Sequence, residues 1–552
     1  MLKAVELLQQ GRSEELWQMC CGFLDLSLEQ FMAIQKRLLL EQISLSNRCT
    51  LGRKIMQGAK PQTVEEFRQQ VPVTTYADYC PELMEKKEAP LPAEPAVWVH
   101  TSGRSGDYPS KWVPWTRAFV QELSTVMYGV GLLSGCKRRG DISQMNGCPK
   151  IVYTVAPRPY MTGALASILE LQTPSNYLPP LEESEELPFE DRIKFGFKQA
   201  LSQGLDYFFG LSMVLVVVGN RFSESSEKVD IRPLLSQPRA LFRLMKGLAK
   251  SKLAGRPMLP KDLWSVKGIM SGGLDSGVYK EKIKALWGKY PLDTYTGTEG
   301  GIIATQTWDY DGMTFIPSLN FLEFIPEKEY FKWQLDHSYQ PKAVLLDEVK
   351  AGEVYEIVIT NFHGGALVRY RPGDMVRITS LRNDKLGINM PQMVFERRAD
   401  DLLDFVFVRL TEKTIWQAIE NTGLDYVDWT AHKKPGEPVL SLSIELKNGY
   451  QANETEVAAT IRDQIIKSDN NVRDTELLIR DEFATMIDFK VEVDLLTQGA
   501  FGNYTTQRQA EGADLAHLKP PHINPSPKVL SLLTAKPEVV EVGAEREQVA
   551  IQ

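Results

Sequence analysis

The sequence predicts an α/β chain: a large N-terminal domain of mixed β-sheet flanked by helices, then a smaller, mobile α+β domain. Three observations predict this. Short apolar runs alternate with helical patterns from about Ala96 to Ile378, the signature of a mixed sheet with helices on its faces. After Arg377 the character changes, and Gln392–Asp404 (QMVFERRADDLLD) is a charged run that reads as a hinge, centred on Arg397–Asp401. Beyond it Leu440–Leu446 (LSLSIEL) alternates as a half-buried strand, Asn453–Ser468 reads as a helix and Phe489–Leu496 as a strand. The expected boundaries are 1–396 for the large domain, 397–525 for the small one and 526–552 for a loose tail rich in Pro, Glu and Val.

Composition sets the outer limits. With 552 residues, 43% hydrophobic and 24% charged, the chain can build two or three cores. A net charge of -8 argues against a nucleic-acid or anionic-membrane partner. The opening MLKAVELLQQGRSEELW is charged and amphipathic, without the pattern of a secretory signal. All six cysteines lie early in the chain, none in a CxxC pair, and the six His do not cluster with them. Structural zinc is therefore not expected, whereas reduced thiols in a cytoplasmic protein are.

In chain order, residues from about Ala4 to Gln57 are helical by pattern, with Trp17, Cys20, Cys21, Leu24 and then Leu28, Phe31, Ile34 at helical spacing. Leu91–Pro95 is a rigid entry to Ala96–Val99 (AVWV), which reads as a buried strand. Thr116–Met127 is a helix whose N-terminal dipole would face a site before it. Ile151–Val155 is a strand, and Ala156–Tyr160 (APRPY) is a loop at its C-terminal end, where α/β proteins build ligand sites. Ile193–Ser202 and Pro238–Ala249 are helical. Leu211–Val218 (LSMVLVVV), the longest apolar run, is far too short to span a bilayer and reads as a buried parallel strand over Val214–Val218. Gly268–Gly273 is a strand end and turn, and Val278–Lys289 is a helix. Tyr160, Met161, Phe208 and Phe209 suit either an apolar pocket or the core.

Three stretches carry candidate chemistry. His100–Lys111 (HTSGRSGDYPSK) follows the AVWV strand. Gly103 and Gly106 permit positive φ and close approach of a ligand. Loop N–H groups with Thr101, Ser102 and Ser105 can then hold phosphate oxygens, and Lys111 can neutralise one of them. The spacing is not that of the GxxxxGK[ST] nucleotide loop, and a plain polar turn reads the same way. Tyr295–Gly301 (YTGTEGG) places a single Glu299 among small turn residues. Asn361–Asp374 (NFHGGALVRYRPGD) ends in an Asp set by a Gly; RYRPGD alone reads as a basic strand edge and turn.

In this order the three resemble the motifs of the adenylate-forming enzymes: acyl-CoA synthetases, peptide-synthetase adenylation domains and luciferases. The closer resemblance is to one branch, the auxin-responsive acyl-acid amido synthetases and their bacterial relatives. Thr63–Tyr79 (TVEEFRQQVPVTTYADY), Thr101–Gly106, Ile359–Asp374 and Lys519–His522 (KPPH) are each similar to a stretch of that family. The sequence departs from it in three places. Arg104 stands where plant members have Thr, Tyr108-Pro109-Ser110 stretches the spacing to Lys111, and His522 replaces a final Arg.

The resemblance implies ATP and Mg²⁺ as cofactors. It implies a triphosphate role for Thr101, Ser102, Ser105 and Lys111, a metal ligand in Glu299, adenine stacking by Tyr295 and a polar contact from Thr298. It further implies ribose binding by Asp374, a hinge-region phosphate or ribose contact from Arg398, and a lysine supplied by the small domain, Lys519 or Lys413. Residue chemistry agrees: Mg²⁺ needs only one or two carboxylates besides phosphate, and an ionised Asp accepts from two hydroxyls. The implied reaction turns a carboxylic acid into an acyl-adenylate and passes the acyl group to an amine, most simply an amino acid. Two other readings stay open: an acid–thiol ligase using coenzyme A, and a nucleotide-binding protein without catalysis.

Overall fold

The computed structural model describes residues 2–101, 111–145, 147–187, 189–225, 237–272, 276–336, 338–399, 402–404, 409–434, 437, 439–468, 489–511 and 518–534. The chain divides into two units, Met1–Ala399 and Asp400–Gln552.

The larger unit opens with helices, the longest being Leu28–Arg48. Ser27 caps that helix by accepting from the Gln30 N–H, while the Gln30 side chain returns to the Ser27 N–H. Buried Gln35 and Gln42 then tie it into the domain: Gln35 donates to the carbonyls of Pro317 and Asn320, and Gln42 to that of Gly365.

The strands of this unit are β1 (Pro95–His100), β2 (Trp112–Thr116), β3 (Lys150–Thr154), β4 (Asn176–Leu178), β5 (Tyr207–Leu211), β6 (Gly268–Gly272), β7 (Leu292–Gly297), β8 (Gly301–Thr305), β9 (Met313–Phe315), β10 (Asn320–Pro326), β11 (Val354–Asn361), β12 (Asp374–Ser380) and β13 (Gln392–Arg398). Eleven form one sheet in the order β10-β11-β12-β13-β9-β8-β7-β6-β5-β3-β4. From β4 to β7 neighbours run parallel, and from β7 onward they run antiparallel. The parallel half needs long crossovers, which the helices Phe189–Gln203 and Pro238–Leu253 help supply. β7 is the strand on which the sheet changes character.

Several expectations are corrected. The run LSMVLVVV is not a strand beyond Leu211: the strand is YFFGL, and Ser212–Ser225 is a helix. Periodicity cannot separate a short buried apolar run in a strand from one in a helix, and the parallel crossover after β5 decides it. Ala96–Val99 is a strand, but it pairs only with β2 in a separate two-stranded ribbon; within the run only Val99 is buried. The charged run begins as a strand: Gln392–Arg398 is β13, paired with β12 and β9, and the boundary between units falls after Ala399, within Arg397–Asp401. The helix Arg117–Gly135 runs well past Met127, capped by Thr116, which accepts from the Phe119 N–H. Phe208 is core, packed with Phe197.

The smaller unit holds β14 (Leu402–Asp404) paired with β15 (Arg409–Thr411), and a sheet of β16 (Tyr426–Lys433), β17 (Val439–Leu446) and β18 (Lys490–Leu496). β17 is antiparallel to β16 and parallel to β18. It is buried along its whole length, not half-buried. As the central strand it keeps Ser441, Ser443 and Glu445 inside, and Glu445 accepts from the N–H groups of Gly499 and Phe501 at the start of the helix Ala500–Ala510. The expected loose tail begins instead with a helix, Pro527–Thr534, whose Leu533 is buried. Residues 535–552 lie outside the described residues. Among the described residues no helix is long and apolar enough to cross a membrane.

Candidate active site

The β7–β8 turn is the centre of the larger unit's site. Thr298, Glu299 and Gly300 bridge the paired residues Gly297 and Gly301, and Gly301 takes φ +67°, a conformation that favours glycine. The turn is tied down through its own carbonyls. The Trp115 indole N–H donates to the Thr298 carbonyl at 3.0 Å, Asn361 Nδ2 to that of Glu299 at 2.8 Å, and Asn320 Nδ2 to that of Gly300 at 2.7 Å. Asn361 Nδ2 also donates to Asn320 Oδ1 at 2.9 Å, so the two amides act as one clamp. With its backbone fixed, the half-buried Glu299 side chain accepts from the Tyr370 hydroxyl at 3.3 Å on Oε1.

The third motif meets the second here. Asp374 opens β12 after Gly373, which has φ +81°, and its Oδ2 accepts from the Tyr295 hydroxyl at 2.7 Å. Both side chains are buried, and the Tyr295 ring lies tilted against Phe395 with centroids 6.2 Å apart. The arginines of RYRPGD are not a basic strand edge. Arg369 forks onto Glu323 at 2.9 and 2.8 Å, and Arg371 onto Glu356 with a closest approach of 2.7 Å; all four are buried. The Arg371 guanidinium also stacks over Trp333 at 3.8 Å. These fixed charge pairs hold the connection between β11 and β12, which carries Tyr370 and leads into Asp374.

The glycine-rich stretch is seen at its base. Thr101 N–H donates to the Lys111 carbonyl, and Lys111 N–H donates to Thr101 Oγ1, both at 3.1 Å. Ser102, Gly103, Ser105 and Gly106 lie outside the described residues. The Lys111 ammonium sits 5.9 Å from the centre of the Tyr76 ring. β2 starts at the next residue and delivers Trp115 to Thr298, so the base of this stretch and the Glu299 turn share one strand. Thr116 adds a second tie, its hydroxyl donating to the His363 carbonyl at 2.7 Å. His100 packs between Trp112 and Tyr160, with ring centroids at 4.7 and 4.3 Å. Arg398 lies across from Asp374 in the β12–β13 register.

The structure thus brings together Tyr295, Thr298, Glu299 and Asp374, with Thr101 and Lys111 reached through β2. Sequence reasoning missed Trp115, Asn320, Asn361 and Tyr370. Asn361 and Tyr370 lie within the quoted third motif, whereas nothing around Asn320 sets it apart. Among the described residues no three His, Cys, Asp or Glu side chains gather as metal ligands. A lone half-buried carboxylate fits Mg²⁺, which takes phosphate oxygens and water for its remaining positions.

The lysine candidates belong to the smaller unit. Lys519 Nζ lies 3.3 Å from Asp428 Oδ2. The other Asp428 oxygen faces His522 Nε2 at 2.8 Å, and His522 Nδ1 faces Glu412 Oε1 at 2.5 Å. The imidazole stacks on Trp429 at 4.4 Å and meets Trp416 edge-on at 5.6 Å. Burial disfavours its charged form, but the two carboxylates outweigh that and push its pKa up to about 9. Asp428 is half-buried, and its desolvation opposes ionisation, yet His522 and Lys519 hold its pKa below the usual range. The segment carrying Lys519 and His522 is fastened to β16: Ala431 N–H donates to the His522 carbonyl and Asn524 N–H to that of Ala431. Lys413 is exposed, on the first turn of the helix Glu412–Asn421.

Two family models match the chain: the GH3 family N-terminal domain over residues 20–168 and the GH3 family central domain over residues 313–398. Thr101 and Lys111 fall in the first, Asp374 and Arg398 in the second, and the Glu299 turn between them. Among curated proteins the chain is 35% identical over 180 residues to jasmonoyl–L-amino acid synthetase JAR4 of Nicotiana attenuata, covering 30% of this chain and 29% of that one. It is 29% identical over 241 residues to the 4-substituted benzoates-glutamate ligase GH3.12 of Arabidopsis thaliana, covering 40% and 38%. These matches span less than two fifths of either relative. Among solved structures, the AtGH3.15 acyl acid amido synthetase superposes with a TM-score of 0.61 at 17% identity, over 91% of this chain and 93% of that one. A 2-hydroxyisobutyryl-CoA ligase superposes with a TM-score of 0.58 at 14% identity, over 92% and 91%. At such identities the likeness is one of fold.

Proposed function

The chain belongs to the GH3 family of the adenylate-forming superfamily, and from that premise we propose that it is an acyl-acid amido synthetase. It uses ATP to activate a carboxylic acid and joins the acyl group to an amine, most simply an amino acid. The observation that carries this reading is the 2.7 Å bond from Tyr295 to Asp374 beside the clamped Glu299 turn, which unites two separate motifs at one place.

A carboxylic acid does not couple to an amine at neutral pH, because oxide would have to leave. In the first step a carboxylate oxygen of the acid attacks the α-phosphorus of ATP, and the bond to the β-phosphate oxygen breaks, releasing pyrophosphate. In the second, the amine nitrogen attacks the acyl carbon, the bond to AMP breaks, and the nitrogen loses a proton. Negative charge shifts among the phosphates in the first step and needs donors and positive charge arranged beforehand. Thr101, Ser102, Ser105 and Lys111 are assigned to the phosphates, with the backbone of Gly103 and Gly106 allowing close approach. Glu299 is assigned to Mg²⁺, which when bound neutralises phosphate charge. Asp374 is assigned to the ribose with Tyr295 orienting it and flanking the base, Thr298 and Arg398 to further nucleotide contacts, and Lys519 to adenylation with Lys413 as the alternative. The six unpaired thiols suit a reducing compartment, and we assign the chain to the cytoplasm.

The test is pyrophosphate exchange by the full chain over a panel of acids, followed by AMP release with amino acids or coenzyme A. Exchange with an acid and AMP release driven by an amino acid is the expected result. Release driven by coenzyme A alone would make it a thiol ligase, and no exchange with any acid would leave a nucleotide-binding protein.

A further inference from the structure

The helix Pro238–Leu253 (PRALFRLMKGLAKSKL) carries five cations, Arg239, Arg243, Lys246, Lys250 and Lys252, and no acid, in a chain of net charge -8. One face is core: Ala240, Leu244, Gly247 and Ser251 are buried. The opposite face is also apolar, which the core does not require. Phe242 is 71% exposed, Met245 61% and Leu253 90%. With exposed Ala249 they sit at i, i+3, i+7 and i+11, which at 3.6 residues per turn falls within an arc of roughly 80°.

The cations flank this second stripe. By the same spacing Arg239, Lys246 and Lys250 lie along one edge and Lys252 along the other. None of these four forms an ion pair among the described residues. Arg243 is spent inward, donating to the carbonyls of Ala200 and Leu201. Asp262, on the helix Pro260–Leu263 that packs against this one, is held by Arg256 at 2.7 Å. The outward face is thus apolar along its centre and positive at both rims.

We propose that this face is a peripheral docking surface for an anionic lipid bilayer, with Phe242, Met245 and Leu253 entering the interface and the flanking cations on the headgroups. Charge decides among occupants. A second copy of the same face would set four cations against four, whereas an anionic surface complements both rims at once. A convex stripe on one helix, edged by long cationic side chains, is the form that lies in the plane of a membrane interface. The acidity of the whole chain conceals this local patch, and the surface is independent of the ATP site.

The experiment is co-sedimentation of the full chain with phosphatidylcholine vesicles, with and without phosphatidylserine, at low and high salt. Binding is expected only with phosphatidylserine, weakening as salt rises. Each cation near such a surface is worth roughly fivefold in binding, so Lys246→Gln with Lys250→Gln should weaken it about 25-fold. Phe242→Ser with Met245→Ser should abolish it while circular dichroism and pyrophosphate exchange stay unchanged. Absence of binding to phosphatidylserine vesicles, or equal binding to neutral ones, overturns the proposal. So does self-association in sedimentation equilibrium that the Phe242/Met245 variant removes, or capture of an acidic protein through this face without any vesicle binding.

Discussion

The Glu299 site of the larger unit and the lysine cluster of the smaller one are held by different means. Around Glu299 the supports are amide-to-carbonyl bonds from Trp115, Asn320 and Asn361, with two buried arginine–glutamate forks behind them. Around Lys519 the supports meet at one titratable ring, His522, between Asp428 and Glu412. The first arrangement spreads over several amide, indole and guanidinium donors. The second depends on one proton, that of the imidazole held between two carboxylates.

The largest expected effect comes from breaking the first arrangement. Glu323→Ala leaves Arg369 buried without its carboxylate, and removing one partner of a buried pair costs roughly 3–5 kcal/mol. Urea unfolding of the full chain should show it. A loss below about 1 kcal/mol would mean that the carbonyls of Arg68 and Val71, which Arg369 also reaches, suffice alone.

Next comes the nucleotide contact. Asp374→Ala should weaken ATP binding by roughly 2–4 kcal/mol, since two bonds to an ionised acceptor are lost. Calorimetry with ATP reads this directly, and an unchanged affinity excludes the ribose assignment. Glu299→Ala should nearly abolish pyrophosphate exchange at ordinary magnesium; near-normal exchange in a folded variant would remove Glu299 from the metal role.

The smaller unit should lose stability at alkaline pH through His522. The pKa of His522 in the fold, about 9, lies above its ordinary value of 6.5. The stability it contributes is therefore complete below about pH 6.5 and is lost as pH rises through 9, on the order of 3 kcal/mol in all. With ring-labelled histidines, one resonance should titrate near pH 9 and vanish in His522→Gln. A titration midpoint near 6.5 for every ring would contradict the bridge between Asp428 and Glu412.

Much of this was legible in the sequence, and the misses have physical causes. Tyr295, Glu299 and Asp374 stood out because each lies close to glycines that mark a turn, and the chain brings them together. Asn320 gave no local signal, because its importance arises only when β10 and β11 pair beside the Glu299 turn. LSMVLVVV misled because helix and strand both bury such a run, and the crossover after β5 is a long-range constraint. QMVFERR was read by its charges, yet its apolar residues hold it in the sheet as β13. In β17 the serines and Glu445 alternate as if facing water, but the sheet is covered on both faces.

The smallest expected effect separates the two lysines. Lys413 is exposed on the first turn of its helix, and a surface substitution away from any buried network shifts stability by less than about 0.5 kcal/mol. Lys519 shares Asp428 with His522, so its position is tied to the imidazole bridge. Lys413→Ala should therefore leave pyrophosphate exchange and stability near the parent chain. Lys519→Ala should slow acyl-adenylate formation yet leave transfer from a chemically supplied acyl-adenylate largely intact. Single-turnover measurement of each half-reaction in both variants makes the comparison. Equal slowing of both halves by Lys519→Ala would make that lysine structural. Normal exchange in Lys519→Ala with slow exchange in Lys413→Ala would exchange their roles, and would uncouple the imidazole bridge from the chemistry.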